Sequence, residues 1–493
     1  MSQTGANADE WVAIKPGFDG MLALGLAHVM MKAGLRRPEA AGRAGSLIEG
    51  WSNGLAGYAP EEVAKQTGVP VARIERLARE FAEQTPSVAV IGGSPLAQTN
   101  GLFSALAVNA LNALAGSVNS PGGMFFTPQL NLTPVRAGTR RDEQPRPFEK
   151  IAADILSADR SPIQMLLLDG ANPVFATPRA WKVREALMKV PFIVSFGNFL
   201  DETSVLADWI LPDHSFLESW VEGMPEAGSR SAVGSVAPPV MRPLHETRAV
   251  PDVLLEAGRR LKRPLNPALP WQNFQEMLRS AFEALPAVWD TVQKQGGWWS
   301  DVTPSAQSAG TLDERSGRPQ TAPTVRFAAP QFDGDAGEYP FHFLPYASPA
   351  FYDGSVAHLP WLQELPDPLS SAMWSSWVEI NPQTAGRLQI HQGDLVEVTS
   401  RQGTLQVPAF VSPGIAPDVV AMPVGQGHET YTRYASGRGE NPIRILAPMV
   451  EPETGSLAWA ATRVWISKIG NDDGRLILFG GSLTESRPEH DHR

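Results

Sequence analysis

Apolar residues recur at helical spacing through residues 20–33, and Gly34 stands where such a helix would end. Pro60-Glu61-Glu62 opens a second helix with acids in its first turn. Val69-Pro70-Val71 opens a third, which runs to Gln84. A short unbroken apolar run, Ser87-Val88-Ala89-Val90-Ile91, then ends in Gly92-Gly93. That pattern predicts a buried parallel strand. An Ala- and Leu-rich stretch over 102–114 predicts a long helix, and 117–123 a turn. The pattern repeats downstream: a buried strand at 165–168, a helix over 178–189, a strand at 191–195 and another beginning at Ile210-Leu211.

Residues 133–150 read as a polar linker, and 222–250 and 303–340 as long loops rich in Gly, Pro and Ser. Between those loops, 251–261 and 271–285 read as helical. Near residue 375 the period changes from helical to alternating. Short strands are predicted at 377–380, 394–399, 404–407, 419–422, 463–467 and 475–479, with Arg401-Gln402-Gly403 turning a hairpin. The fold class is therefore α/β: two Rossmann-like units followed by a C-terminal β-barrel.

Length adds that 493 residues exceed one compact core. A net charge of −11 argues against a nucleic-acid partner, which would need a basic stripe. The chain contains no cysteine, so it offers no disulfide, no thiolate nucleophile and no thiolate ligand for zinc or an iron–sulfur cluster. No run of 18 apolar residues appears, and the N-terminal residues lack the basic and apolar regions of a secretory signal.

Candidate chemistry gathers at the ends of the predicted strands. Gly92-Gly93-Ser94 and Asp169-Gly170-Ala171-Asn172-Pro173 are polar, glycine-containing loops where α/β sheets bind ligands, although each also reads as a plain turn. After the strand at 191–195, Asn198, Asp201, Glu202 and Thr203 could accept bonds from a purine N–H or a ribose hydroxyl, while Asp201 could equally cap the next helix. Asp208, Asp213, His214 and Glu218 match no metal-site spacing and read as a structural loop. Residues 425–442 hold Gln426, Gly427, His428, Tyr434 and Asn441 among glycines and arginines, and read as a binding loop. The tail at 489–492 could bind metal but reads as a terminal tail.

Taken in order, these blocks resemble the molybdopterin oxidoreductases of the dimethyl-sulfoxide-reductase type. The blocks are the Ala8-Asp9 and Ile14-Lys15-Pro16-Gly17-Phe18-Asp19 segment, 99–101 through 121–123, 169–173 with Glu202-Thr203 and 207–212, and 381–398. The loop at 425–442 resembles the large subunit of alternative complex III, with polysulfide- and thiosulfate-reductase-like proteins near it. The resemblance implies a truncated α/β domain at 1–132, a second α/β domain with a helical extension at 151–300, and a six-stranded double-psi-type barrel at 340–482. It implies molybdopterin guanine dinucleotide as the cofactor, or none if the chain is like alternative complex III, with no Fe–S cluster on this chain. Asn172, Asn198, Glu202, Thr203, Gln426, Gly427, His428, Tyr434 and Asn441 would line the dinucleotide groove. No catalytic residue or metal ligand is assigned.

The implied partners are an Fe–S protein subunit, a chain supplying the family's N-terminal half and an integral membrane quinol-binding subunit. The implied location is the periplasmic face of a membrane, reached through those partners. Three functions stay open: a scaffold component of a respiratory electron-transfer complex, the dinucleotide-binding half of a split molybdoenzyme, and a non-functional fragment.

Overall fold

The computed structural model describes residues 2–128, 130, 146–225, 228–262, 265, 268–300 and 324–480. The linker segment at 133–145, the loop at 303–323 and the tail at 489–492 lie outside the described residues. The N-terminal unit is a helical cluster: α1 (Asp19–Lys32), α2 (Pro60–Thr67), α3 (Val71–Glu83) and α4 (Gly101–Ala115). Asp19 and Lys32 sit at the helix ends that suit their charges. Gly34, at φ +73°, closes α1, and Leu35 N–H bonds back to the Met30 carbonyl. A Cβ on Gly20 would lie 2.7 Å from Ser104 Cα, so glycine lets α1 cross α4 in backbone contact. Leu24, Ala27, Met30, Ala107, Ala110 and Leu114 form the core between them.

The strand predicted at 87–91 is a correction. Those residues join no ladder, and no strand among the described residues pairs with them. The N-terminal unit thus contains no strand among its described residues.

The second unit follows its prediction more closely. After α5 (Phe148–Ser157), β1 (Leu166–Leu168) pairs in parallel with β2 (Ile193–Ser195), and β2 with β3 (Trp209–Ile210). The predicted helix at 178–189 is a 3₁₀ turn, Arg179–Trp181, and a helix α6 (Val183–Leu187), broken by Lys182 at φ +51°. Helices α5 and α6 cover one face of this sheet through Ile155, Val183 and Leu187.

The predicted loop at 222–250 is also corrected. Within it, β4 (Val221–Gly223) and β5 (Val233–Ala237) pair antiparallel, and β5 pairs with β6 (Gly297–Trp299). Gly297 permits this approach, since a Cβ there would lie 2.5 Å from the Gly234 carbonyl oxygen. Helices α7 (Val250–Arg260), α8 (Phe274–Glu283) and α9 (Trp289–Gln295) complete this extension, whose core is Phe282, Trp289, Val292 and Val236.

The C-terminal unit is a closed six-stranded barrel. Its members are β7 (Phe341–Ala347), β9 (Val378–Ile380), β10 (Leu395–Ser400), β11 (Gly403–Val411), β12 (Val419–Val424) and β13 (Thr462–Lys468), in the order β10-β11-β9-β12-β7-β13. The β7/β12 and β9/β11 pairs are parallel. Closure leaves no free edge. The sixth strand is β7 rather than 475–479. Only Ile477 and Leu478 (β14) pair there, with β8 (Ala372–Met373) outside the barrel. In β7, Phe341 and Phe343 point into the barrel core with Val396, Val398, Val420 and Ile466.

Phe343 is fully buried in that core. Phe343→Ala is expected to cost about 3–5 kcal/mol of stability by chemical denaturation. A loss below about 1 kcal/mol would show that the barrel repacks around the gap.

Candidate functional site

Glu202 lies in the loop after β2, and its carboxylate is 2% exposed. It meets five hydrogen-bond contacts. Asn172, in the loop after β1, donates Nδ2–H to Oε2 at 2.7 Å. The backbone N–H groups of Glu429 and Thr430, in the loop after β12, donate to Oε1 at 2.7 and 3.1 Å. His428 Nδ1 lies 3.2 Å from both oxygens. Burial alone would raise the Glu202 pKa, but the bonds from His428 and Asn172 outweigh it and hold the carboxyl down at about 2.

His428 is itself buried. Its Nε2 lies 3.1 Å from the Gly354 carbonyl, so both ring nitrogens face oxygen acceptors. Phe175 stacks on the ring at 3.7 Å between centroids and 5° between planes. Thr203 Oγ1 donates to Asn172 Oδ1 at 2.7 Å and accepts from Val174 N–H at 3.1 Å. Asn441 Nδ2 donates to the Phe175 carbonyl at 2.9 Å. Residues from the two sheet loops and from the barrel loops after β7 and β12 therefore form one network joining the two units.

A cavity of about 310 Å³ opens on this network, beyond the carboxyl ends of β1 and β2. That is the ligand position of a parallel α/β sheet. Asn172, Asn198 and His428 line it, together with Asp201, Asp353, His358 and Tyr431. Asp201 Oδ1 accepts from the backbone N–H groups of Thr203 and Ser204 in the turn before the 3₁₀ helix Ser204–Leu206, whose N-cap is Thr203 rather than Asp201. Its second oxygen takes no hydrogen bond from the described residues. The backbone N–H groups of Gly170 and Ala171 have no partner there either. His358 Nδ1 is buried without a partner, and burial lowers its pKa. Burial, with the carboxylates of Asp201, Asp353 and Glu202, pushes the Tyr431 phenol up to about 12.

The nine predicted residues thus divide. Asn172, Asn198 and His428 face the cavity; Glu202, Thr203 and Asn441 hold its floor together. Gln426 is buried in a reciprocal amide pair with Gln363, its Nε2 donating at 2.7 Å. Gly427, at φ +87°, meets its own loop, since a Cβ would lie 2.1 Å from Asn441 N. Tyr434 lies under the Arg433 guanidinium, 4.6 Å from its ring centroid. Sequence reading missed Asp353 and His358. Their segment carries no spacing signal, and they reach the cavity only because Gly354 and Phe351 pack on the loop after β12.

The carboxylates at 208–218 are structural, as expected. Asp208 accepts from Ile193 N–H at 2.8 Å, Asp213 from Val250 N–H at 3.0 Å, and Glu218 from Leu244 N–H at 2.8 Å. No cluster of three or more His, Asp or Glu that could hold a metal occurs among the described residues.

Glu202 binds its proton less readily in the folded chain than in the unfolded one. Its contribution to stability is complete above about pH 4.5 and is lost as pH falls toward 2. Glu202→Ala is expected to cost about 3–5 kcal/mol at pH 7, because it strands His428 and two N–H groups. Melting curves of the variant should also fall less steeply below pH 4.5 than those of the parent. Parallel acid limbs would contradict this account.

The molybdopterin oxidoreductase family matches residues 2–249, and the molydopterin dinucleotide binding domain matches residues 363–461. The menaquinone reductase molybdopterin-binding-like subunit of Nitratidesulfovibrio vulgaris is 30% identical over 95% of this chain and 64% of its own length. The chain therefore spans less than two thirds of that relative. The arsenate respiratory reductase molybdopterin-containing subunit of a Shewanella species is 24% identical over 95% of this chain and 70% of its own. Acetylene hydratase from Pelobacter acetylenicus shares the fold, with a TM-score of 0.77 over 95% of this chain and 72% of that one, at 17% identity. A family match across half the chain, together with a barrel matched by the dinucleotide-binding domain, makes this protein a member of the molybdopterin oxidoreductase family.

Proposed function

We propose that this chain is the dinucleotide-binding component of a respiratory electron-transfer complex, with its cavity holding the nucleotide end of molybdopterin guanine dinucleotide. The observation that carries the reading is the cavity at the ends of β1 and β2. Its donors and acceptors fit a purine nucleotide. Asp201 and Asn198 would accept from the base or ribose, and the free N–H groups of Gly170 and Ala171 would meet phosphate oxygens. When bound, the group would supply a pterin, without molybdenum in this scaffold reading and with it in the second reading below. This chain's residues position it and keep water from its buried edge.

The complete absence of cysteine supports a scaffold role, with iron–sulfur centres on a partner subunit and a quinol-binding subunit in the membrane. The relatives named as menaquinone and thiosulfate reductase subunits support quinol- or sulfur-linked chemistry for the complex. By this reading the chain works at the outer membrane face through its partners. The second reading, half of a split molybdoenzyme, is favoured by the dinucleotide-binding-domain match itself.

Equilibrium dialysis with guanosine diphosphate tests the cavity. Saturable binding is expected, weakened about tenfold in Asn198→Ala, the equivalent of one lost hydrogen bond. Binding that the variant leaves unchanged would place the nucleotide elsewhere. Molybdenum at one atom per chain, by mass spectrometry of the purified complex, would replace the scaffold reading with the second one.

A further inference from the structure

A second, smaller pocket borders the Glu202 network. It shares Phe175 with the cavity at the ends of β1 and β2, and no other lining residue. Its volume is about 130 Å³. At roughly 30 Å³ per water, that is the room of about four waters, enough for a small tetrahedral anion. It is well below the roughly 300 Å³ at which sites for larger organic ligands begin. The two spaces also differ in charge. No Lys or Arg lines the larger one, whereas three arginines line the smaller.

Those arginines arrive from three elements. Arg179 stands in the 3₁₀ turn Arg179–Trp181, Arg184 in α6, and Arg444 in the 3₁₀ turn Pro442–Ile445. A guanidinium is always charged and offers only donors, in a planar fork that matches an oxyanion. Two of the three share one acceptor. Arg184 Nη2 lies 3.2 Å from Glu429 Oε2, and Arg444 Nη2 lies 2.8 Å from Glu429 Oε1. Arg444 Nη2 also donates to the Gly427 carbonyl at 3.2 Å, which holds it against the barrel loop. The Arg179 guanidinium has no hydrogen bond or ion pair among the described residues. One carboxylate therefore answers two guanidiniums and leaves the third unanswered. Of the other acids at the pocket, Glu202 already takes the donors of its own network. Glu185 is exposed to solvent, where its charge is screened. Glu429 is itself 56% exposed, and ion pairs so placed add little to stability. Its carboxylate can be displaced at small cost.

We propose that this pocket is an oxyanion site. It takes a doubly charged tetrahedral anion of the sulfate or hydrogen phosphate class, which replaces the Glu429 carboxylate on Arg184 and Arg444 and engages Arg179. The charge-assisted bonds gained in the pocket outweigh the two exposed pairs given up. Only the Glu429 side chain has to move, because its backbone N–H, at 2.7 Å from Glu202 Oε1, takes no part in the exchange. The site is separate from the nucleotide cavity and does not rest on the reading of that cavity.

Calorimetric titration of the full chain tests this, with sodium sulfate and sodium phosphate as probes and ionic strength held constant with sodium chloride. Each anion should bind at one saturable site per chain, and sodium nitrate, a planar monoanion, should not. Arg179→Ala should weaken sulfate binding about tenfold, the loss of a charged hydrogen bond. Glu429→Gln should tighten it about fivefold, because it removes the competing charge and keeps the backbone bond to Glu202. Two controls should change nothing: Arg43→Ala, which removes an exposed arginine of the N-terminal unit, and Asn198→Ala in the nucleotide cavity. Circular dichroism of all four variants should match the parent. The proposal is overturned by no saturable binding of either anion, by nitrate binding as tightly, or by an affinity that Arg179→Ala leaves unchanged. It is equally overturned if Glu429→Gln fails to tighten binding, or if Arg43→Ala or Asn198→Ala shares the loss.

Discussion

A carboxylate removed from water must be surrounded by donors, and Glu202 is surrounded by donors from both units. Asn172 comes from the parallel sheet; His428, Glu429 and Thr430 come from the barrel. None of these groups could leave without stranding a charge in a low-dielectric interior. The position of the barrel against the sheet is therefore set by hydrogen-bond geometry as well as by apolar contact. Phe175, stacked on His428 and accepting from Asn441, adds apolar contact to the same joint.

The cavity inherits its shape from that joint. One wall comes from the loops after β1 and β2, the other from residues 353–358 and Tyr431. Asp201, Asn198 and His358 are among the polar residues that line it. Neighbours in sequence thus take different places: Glu202 and Thr203 build the floor, while Asn198 and Asp201 line the cavity.

Strand-like segments differ in how completely they are paired. The barrel satisfies every strand by closing on itself. The parallel sheet has three short strands, with α5 and α6 on one face and Trp209, Leu167 and Met165 exposed. The segment at 87–91 pairs with no strand among the described residues, and the Asn112 side chain bonds both backbone groups of Ala89. Its local sequence is as strand-like as that of β2. The difference lies in what stands beside it, because a β-ladder is satisfied only by a neighbour.

The helices at 19–32 and 71–83, the strands at 166–168 and 193–195, and the hairpin at 395–411 were legible in the sequence. Each is specified by its own period, caps or turn residues. The β7 strand was not, because Pro345 interrupts its alternation, yet parallel pairing with β12 accommodates it. Nor were β4 and β5, whose Gly and Ser residues read as loop although β5 pairs with β4 on one side and with Trp298 and Trp299 of β6 on the other. In the site, the sequence by itself determined which loops carry polar groups at strand ends. It could not determine that Glu202 and His428, 226 residues apart, share a hydrogen bond, or that Gly427 approaches its own loop. Local propensity acts over a few residues. Burial, pairing and the fate of a charge depend on groups that only the folded chain brings together.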